Sequence, residues 1–111
     1  MNTDNTIAQM KKGVLDMCIL SVLETKEAYP SELIQFLKQS DLIVVEGTLY
    51  PLLSRLKNSE LLDYYWQESN SGPPRKYYKI TEKGKSCLHE LRGEWMSFVT
   101  NVNQSLNNKP Q

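Results

Sequence analysis

The side chains in this 111-residue chain that could do chemistry are cations and hydroxyls, in two adjoining stretches. Arg55 and Lys57 stand among Thr48, Tyr50 and Ser54, and Arg75, Lys76 and Lys79 follow in the second stretch. Neither residues 47 to 59 nor Ser69 to Thr81 contain an acid. Groups of this kind neutralise phosphates and hydrogen-bond to base edges. They do not make a reaction centre. His89 is the only histidine, and with Cys87 it supplies two metal ligands where a zinc site needs four. No glycine-rich phosphate loop, nucleophile elbow or triad is present. The expectation is a protein that is no enzyme, binds no metal and needs no cofactor.

Net charge is zero, which weighs against a generally basic nucleic-acid binder. The distribution matters more than the total. Residues 1 to 46 carry four Lys and seven acids, for −3, whereas residues 47 to 85 carry seven Lys or Arg and four acids, for +3. The remaining residues hold two of each sign. Positive charge is therefore gathered in the stretch that holds the candidate contacts.

Helical periodicity positions the first group. Leu49, Leu52, Leu53 and Leu56 recur at i, i+3, i+4 and i+7, one apolar face of a helix. Gly47, Thr48, Pro51, Ser54, Arg55 and Asn58 point the other way, and Tyr50 and Lys57 lie on a flank. A leucine-backed helix with a slender, cationic front fits a major groove. Pro51 is tolerable near a helix start, so the N-cap is expected at Glu46 or Thr48.

The second group sits on a hairpin. Leu62 to Glu68 alternates, Ser69 to Pro74 is a turn-rich tip, and Arg75 to Ile80 returns, with Tyr78 and Ile80 on one face. Ahead of these elements, Ile7 to Leu23 reads as a first helix apolar on two sides. Lys26 to Pro30 is a turn, Ser31 to Gln39 a second helix, and Ile43-Val44-Val45 a short strand. After the hairpin, Thr81 caps a long last helix with Leu88, Leu91, Trp95, Phe98 and Val102 spaced 3-4-3-4. Ile7, Met10 and Val14 make a comparable seam on the first helix. These unpaired seams predict a homodimer; the bland alternative folds the last helix back on its own wing. Cys18 and Cys87 sit in amphipathic patterns as reduced thiols.

The fold expected is mainly α with a small β-hairpin (α+β), a winged helix-turn-helix with a long C-terminal dimerisation helix. Residues 1–80 form the DNA-binding domain, its first helix shared with the dimer interface, and residues 81–108 the dimerisation helix. No apolar run approaches the ~20 residues of a membrane span. The N-terminus also lacks the basic and apolar regions of a signal peptide, so the chain is expected to be cytoplasmic, without a membrane.

The stretches GTLYPLLSRLKNSELL (Gly47 to Leu62) and GPPRKYYKITEKG (Gly72 to Gly84), with Trp66 between them, resemble the short-tailed members of the PadR family of bacterial transcriptional regulators. The resemblance runs from about Val14 to Leu106. It implies a winged-helix dimer that represses genes by occupying double-stranded operator DNA. Thr48, Tyr50, Ser54 and Arg55 would be groove residues, Lys57 would lie near phosphate, and Arg75, Lys76 and Lys79 would be wing contacts. Resemblance to effector-responsive members also implies a small aromatic effector, with Trp95, Met96 and Phe98 as its pocket; the alternative is that Trp95 only fills the dimer interface. The competing function is a winged helix used for protein–protein contact without DNA. Neutral charge favours that alternative, and the acid-free helix front and wing oppose it.

Overall fold

Leucines from three helices converge on one centre, and the other elements are arranged around it. The computed structural model describes residues 2–108. Its elements run α1 (Thr3–Thr25), α2 (Pro30–Gln39), α3 (Glu46–Asn58), β1 (Leu62–Ser69), β2 (Gly72–Ile80) and α4 (Glu82–Asn107). Ile19, Leu20 and Leu23 of α1 meet Leu33 and Leu37 of α2 and Leu49, Leu53 and Leu56 of α3; Leu62, Tyr78 and Leu88 close the core. Each such leucine contributes about 1.5–3 kcal/mol by leaving water. All four apolar positions predicted for the back of α3 are buried. The result is a helix-turn-helix with an appended hairpin and a long last helix, the winged arrangement that the sequence predicts.

The helix ends explain how the chain turns. Asn2 caps α1 by accepting from the Asn5 amide at 3.1 Å, so that the helix begins at Thr3, four residues before the expected Ile7. α2 and α3 both finish in Schellman motifs. Leu42 N–H bonds the Leu37 carbonyl and Asp41 N–H that of Lys38; Leu61 N–H bonds Leu56 and Glu60 N–H bonds Lys57. Both motifs need a left-handed residue, supplied here by Asp41 (φ 60°) and Glu60 (φ 64°) rather than by glycine. That conformation costs an L-residue roughly 1–2 kcal/mol, of which glycine's looser unfolded chain would return up to about 1 kcal/mol. Glu60→Gly should therefore raise stability by up to about 1 kcal/mol, seen as a higher urea midpoint at unchanged slope. Asp41→Gly should gain less, because aspartate tolerates the left-handed region better.

The wing is tighter and better anchored than the sequence suggests. β1 and β2 pair antiparallel from Leu62↔Ile80 to Gln67↔Arg75 and then slip by one residue to Ser69↔Gly72. Asn70 and Ser71 alone make the tip, and the prolines at 73 and 74 lie in the bulged part of β2, where the lack of an N–H is tolerated. The stretch from Lys26 to Pro30 is more than a turn. Ala28 exchanges both backbone hydrogen bonds with Tyr78, at 3.1 and 2.8 Å, and so gives the wing a one-residue third strand. Ile43-Val44-Val45, expected as a strand, is not one. Val44 is buried, Ile43 and Val45 are exposed, and the edge of β2 is taken by Ala28.

α4 starts inside the core and then leaves it. Thr81 caps it, accepting from the Gly84 amide at 2.9 Å while its hydroxyl donates to the Glu60 carbonyl at 2.7 Å. Gly84 and Leu88 are buried, and Arg92 ties α4 to Glu24 (3.6 Å) and Ser21 (3.3 Å) of α1. Leu88, expected on a partner-facing seam, is wholly enclosed by its own chain and offers a partner no surface. The available seam begins at Leu91. Beyond it α4 is almost entirely exposed, and the molecule measures 66 × 31 × 24 Å.

Candidate nucleic-acid interface

α3 begins at Glu46, with Val45 as an N-cap that provides no side-chain hydrogen bond. Pro51 is therefore the sixth helical residue, deeper than expected. Having no N–H, it cannot bond the Gly47 carbonyl, the acceptor four residues back. Space around Gly47 is open, so this end of the helix remains accessible. Thr48 and Leu49 amides both bond to the Val45 carbonyl at 3.0 Å, leaving those of Glu46 and Gly47 at the open end.

At 100° per residue, Gly47, Pro51, Ser54 and Asn58 form the middle of the front face, and all are exposed. Thr48 and Arg55 lie on one flank, Tyr50 and Lys57 on the other. Each flank is fixed by a different neighbour. Arg55, expected at the front, instead donates from Nη2 to the Asp16 carboxylate of α1. On the opposite flank Lys57 Nζ lies 5.7 Å from the centre of the Tyr64 ring on β1.

The wing carries two distinct faces. Tyr64, Trp66, Lys76 and Tyr78 share the face toward α3. Lys76 Nζ sits 3.8 Å from the Tyr64 ring centre and within 6 Å of the Trp66 and Tyr78 rings. Lys57 and Lys76 thus approach one tyrosine from two elements. The other face is a ladder of tyrosines. Tyr65 stacks on Tyr77 at 5.6 Å, and Tyr77 meets Tyr29 edge-on at 5.3 Å. Arg75 lies 4.5 Å over Tyr29, and Lys79 5.9 Å from Tyr65. Tyr65 donates to Glu27 at 2.7 Å, and that bond to a carboxylate pushes its phenol above the usual tyrosine range. Tyr78, given a packing role from its shared face with Ile80, is buried.

Wing and helix-turn-helix enclose a groove of about 450 Å³ lined by Tyr29, Pro30, Ser31, Tyr50, Trp66, Pro74, Arg75 and Lys76. Tyr50, Arg75 and Lys76, predicted separately, are thus brought to one cleft at the start of α2 and the side of α3. Ser54 lies on the front, Thr48 and Arg55 on the far flank, and Lys79 toward the root of the hairpin. Tyr29, Asp16 and Glu27 take part without having been singled out. Only Tyr29, an aromatic beside a helix-starting proline, gave a local hint.

The expected dimer residues fall on two projecting half-helices. Ile7 and Met10 are 41% and 70% exposed, Leu91, Trp95 and Val102 are near 38%, and Phe98 is 61% exposed. Val14 is half-buried. Met96 stands one residue, hence about 100°, round from Trp95, and is 64% exposed. Cys18 and Cys87 are free thiols, and burial raises the Cys18 pKa. Among the described residues no group of three or more side chains could hold a metal ion, and no helix is long and apolar enough to cross a membrane.

Comparison with known proteins gives a consistent answer. The model of the transcriptional regulator PadR-like family matches residues 19–90. A PadR-like transcription factor from Bacteroides fragilis is 56% identical, with 90% of this chain and 97% of that one covered and a TM-score of 0.77. A PadR-like regulator from Bacillus cereus is 40% identical over 91% and 99% of the two chains, TM-score 0.79. A PadR family regulator from Eggerthella lenta, 31% identical over 96% and 94%, superposes with a TM-score of 0.87.

Proposed function

The chain belongs to the PadR-like family of transcriptional regulators, whose members bind DNA and are not enzymes, and from that premise we propose that it is a dimeric repressor of specific operators. One observation carries the assignment of the interface. Lys57 of α3 and Lys76 of the wing converge on the Tyr64 ring, next to an exposed helix front. Both ammonium groups lie within 6 Å of one ring centre, and a phosphate oxygen near that ring would take charge-assisted hydrogen bonds from them. With a phosphate there, Ser54, Thr48 and Tyr50 are presented to base edges, and Arg75 of the wing reaches the flanking backbone. Lys79, nearer the root of the hairpin, adds positive field.

The dimer places two copies of α3 in successive major grooves, roughly 34 Å apart on a pseudo-palindromic site. Residues 1–80 contribute the DNA-binding unit and residues 81–108 the pairing helix. Ile7, Met10 and Val14 of α1 join Leu91, Trp95, Phe98 and Val102 of α4. A flat aromatic effector would have to bind between chains, since Trp95 and Phe98 lie on the open surface of a projecting helix in one chain.

The test is a mobility shift on DNA from upstream of the chain's own gene, and on a scrambled duplex, across a range of salt. Wild-type protein should prefer the upstream DNA. Lys76→Ala should weaken both duplexes by the same factor and make log K against log salt shallower by about 0.9, the value of one phosphate contact. Aromatic compounds added to the same assay should release the upstream complex; if none does, the effector is struck from the proposal. Absence of any shift at low ionic strength would instead favour a winged helix that contacts protein.

A further inference from the structure

A helix seated in a major groove has a phosphate strand along each flank. The groove is about 12 Å wide, and a helix with its side chains is about 10–12 Å across. On the wing flank of α3, Lys57 and Lys76 answer one strand. The opposite flank faces α1. There Arg55 is bonded to Asp16, and beside the pair opens a polar crevice of about 450 Å³ lined by Gln9, Lys12, Gly13, Asp16 and Arg55.

Building on the reading that α3 enters DNA, we infer that this crevice is a second phosphate station, seating a phosphodiester of the strand opposite the wing. Lys12 and Arg55 are its cations, and Asp16 is the positioning residue that holds Arg55 in place. Gln9, Lys12 and Asp16 are spaced three and four apart, so they lie along one face of α1. Two cations against one carboxylate leave the crevice positive. Arg55 commits only Nη2 to Asp16 and keeps 56% of its side chain exposed, so most of its five donors remain available. Lys12 is exposed and makes no ion pair among the described residues. No atom lies within 4 Å of where a Cβ on Gly13 would stand, which leaves the crevice wall low. Asp16 is itself only partly satisfied, as its Oδ1 is enclosed without a hydrogen-bond partner. Its carboxylate therefore depends on Arg55, and the guanidinium is held against α1. Arg55 then acts on backbone rather than sequence, unlike the groove role expected from its position in the motif.

The experiment uses the whole protein, an operator duplex selected from a random pool and a scrambled duplex. Lys12→Ala touches nothing in the core, so it should leave thermal unfolding unchanged while making the salt dependence shallower by about 0.9 on both duplexes. Arg55→Ala should likewise weaken both by one common factor. If Lys12→Ala leaves the slope unchanged while Lys76→Ala lowers it, the station is wrong and the DNA-binding reading stands. If Arg55→Ala relaxes preference at a single base pair, Arg55 reads a base and the station is overturned. If wild-type protein binds neither duplex, the underlying reading fails and takes the station with it.

Discussion

Gly84→Ala should be among the most destabilising single substitutions in the chain, lowering stability by about 2–3 kcal/mol, although alanine is the better helix former by about 1 kcal/mol. A Cβ at this position would lie 2.2 Å from the Leu61 carbonyl oxygen and 2.7 Å from Ile80 Cγ1. The first obstacle is backbone and cannot swing aside. Leu61 is also pinned where it stands: its carbonyl accepts from the Thr81 amide at 3.1 Å, and its amide closes the Schellman motif of α3. Making room for one methyl group thus means moving α4 away from the junction of α3 and β1, which loosens the Thr81 cap and the seat of Leu88 together. At roughly 4–8 °C per kcal/mol for a domain of this size, the midpoint should fall by about 10–20 °C in calorimetry. Gly47→Ala, with nothing within 4 Å to oppose the methyl group, is the control and should melt at or a few degrees above wild type, by helix preference alone. Equal melting of both variants would mean that α4 is not fixed at this junction.

That joint could not have been read from the sequence, whereas the elements it joins could. Four helices and a hairpin are visible because each repeats a local period: leucine at 3.6 along α3, alternation along β1, the 3-4-3-4 run along α4. The cations of the interface are visible because acids are missing around them. Contacts that depend on two distant elements carry no such period. Asp16 and Arg55 are 39 residues apart, and nothing near either announces the other. Ala28 pairs with Tyr78 through backbone alone, so its side chain gives no sign of it. Leu88 fits the heptad stripe as well as Trp95 does, but the stripe does not say where its own domain ends. That point is set by α1 packing on α4 as far as Arg92. Pro51 lies deeper in the helix than its sequence suggests because Val45, which caps through backbone geometry only, has none of the usual capping side chains.

Past Arg92, α4 is exposed along nearly its whole length, and replacing Trp95 and Phe98 together by glutamate should therefore abolish the proposed pairing without unfolding the protomer. Both side chains are substantially exposed, at 38% and 61%, so their removal takes little from the core. Each apolar side chain buried between copies would contribute about 1.5–3 kcal/mol, and twofold symmetry counts both residues twice. Loss of at least about 6 kcal/mol moves the dimer constant by more than about 10⁴-fold, before the cost of desolvating four carboxylates. Sedimentation should then give the 12.8 kDa mass of one chain. DNA binding follows from the same change. Two linked recognition helices gain on the order of 10²–10⁴ over one through effective concentration, so affinity for a full operator should fall by that factor. Affinity for an isolated half-site should be unchanged, because α3, the wing and Lys12 remain as they were. The half-site arm separates loss of pairing from damage to the interface: a parallel drop there would mean that the substitutions had disturbed the winged domain. A variant that still sediments as a pair would show that copies of this chain meet through some other surface.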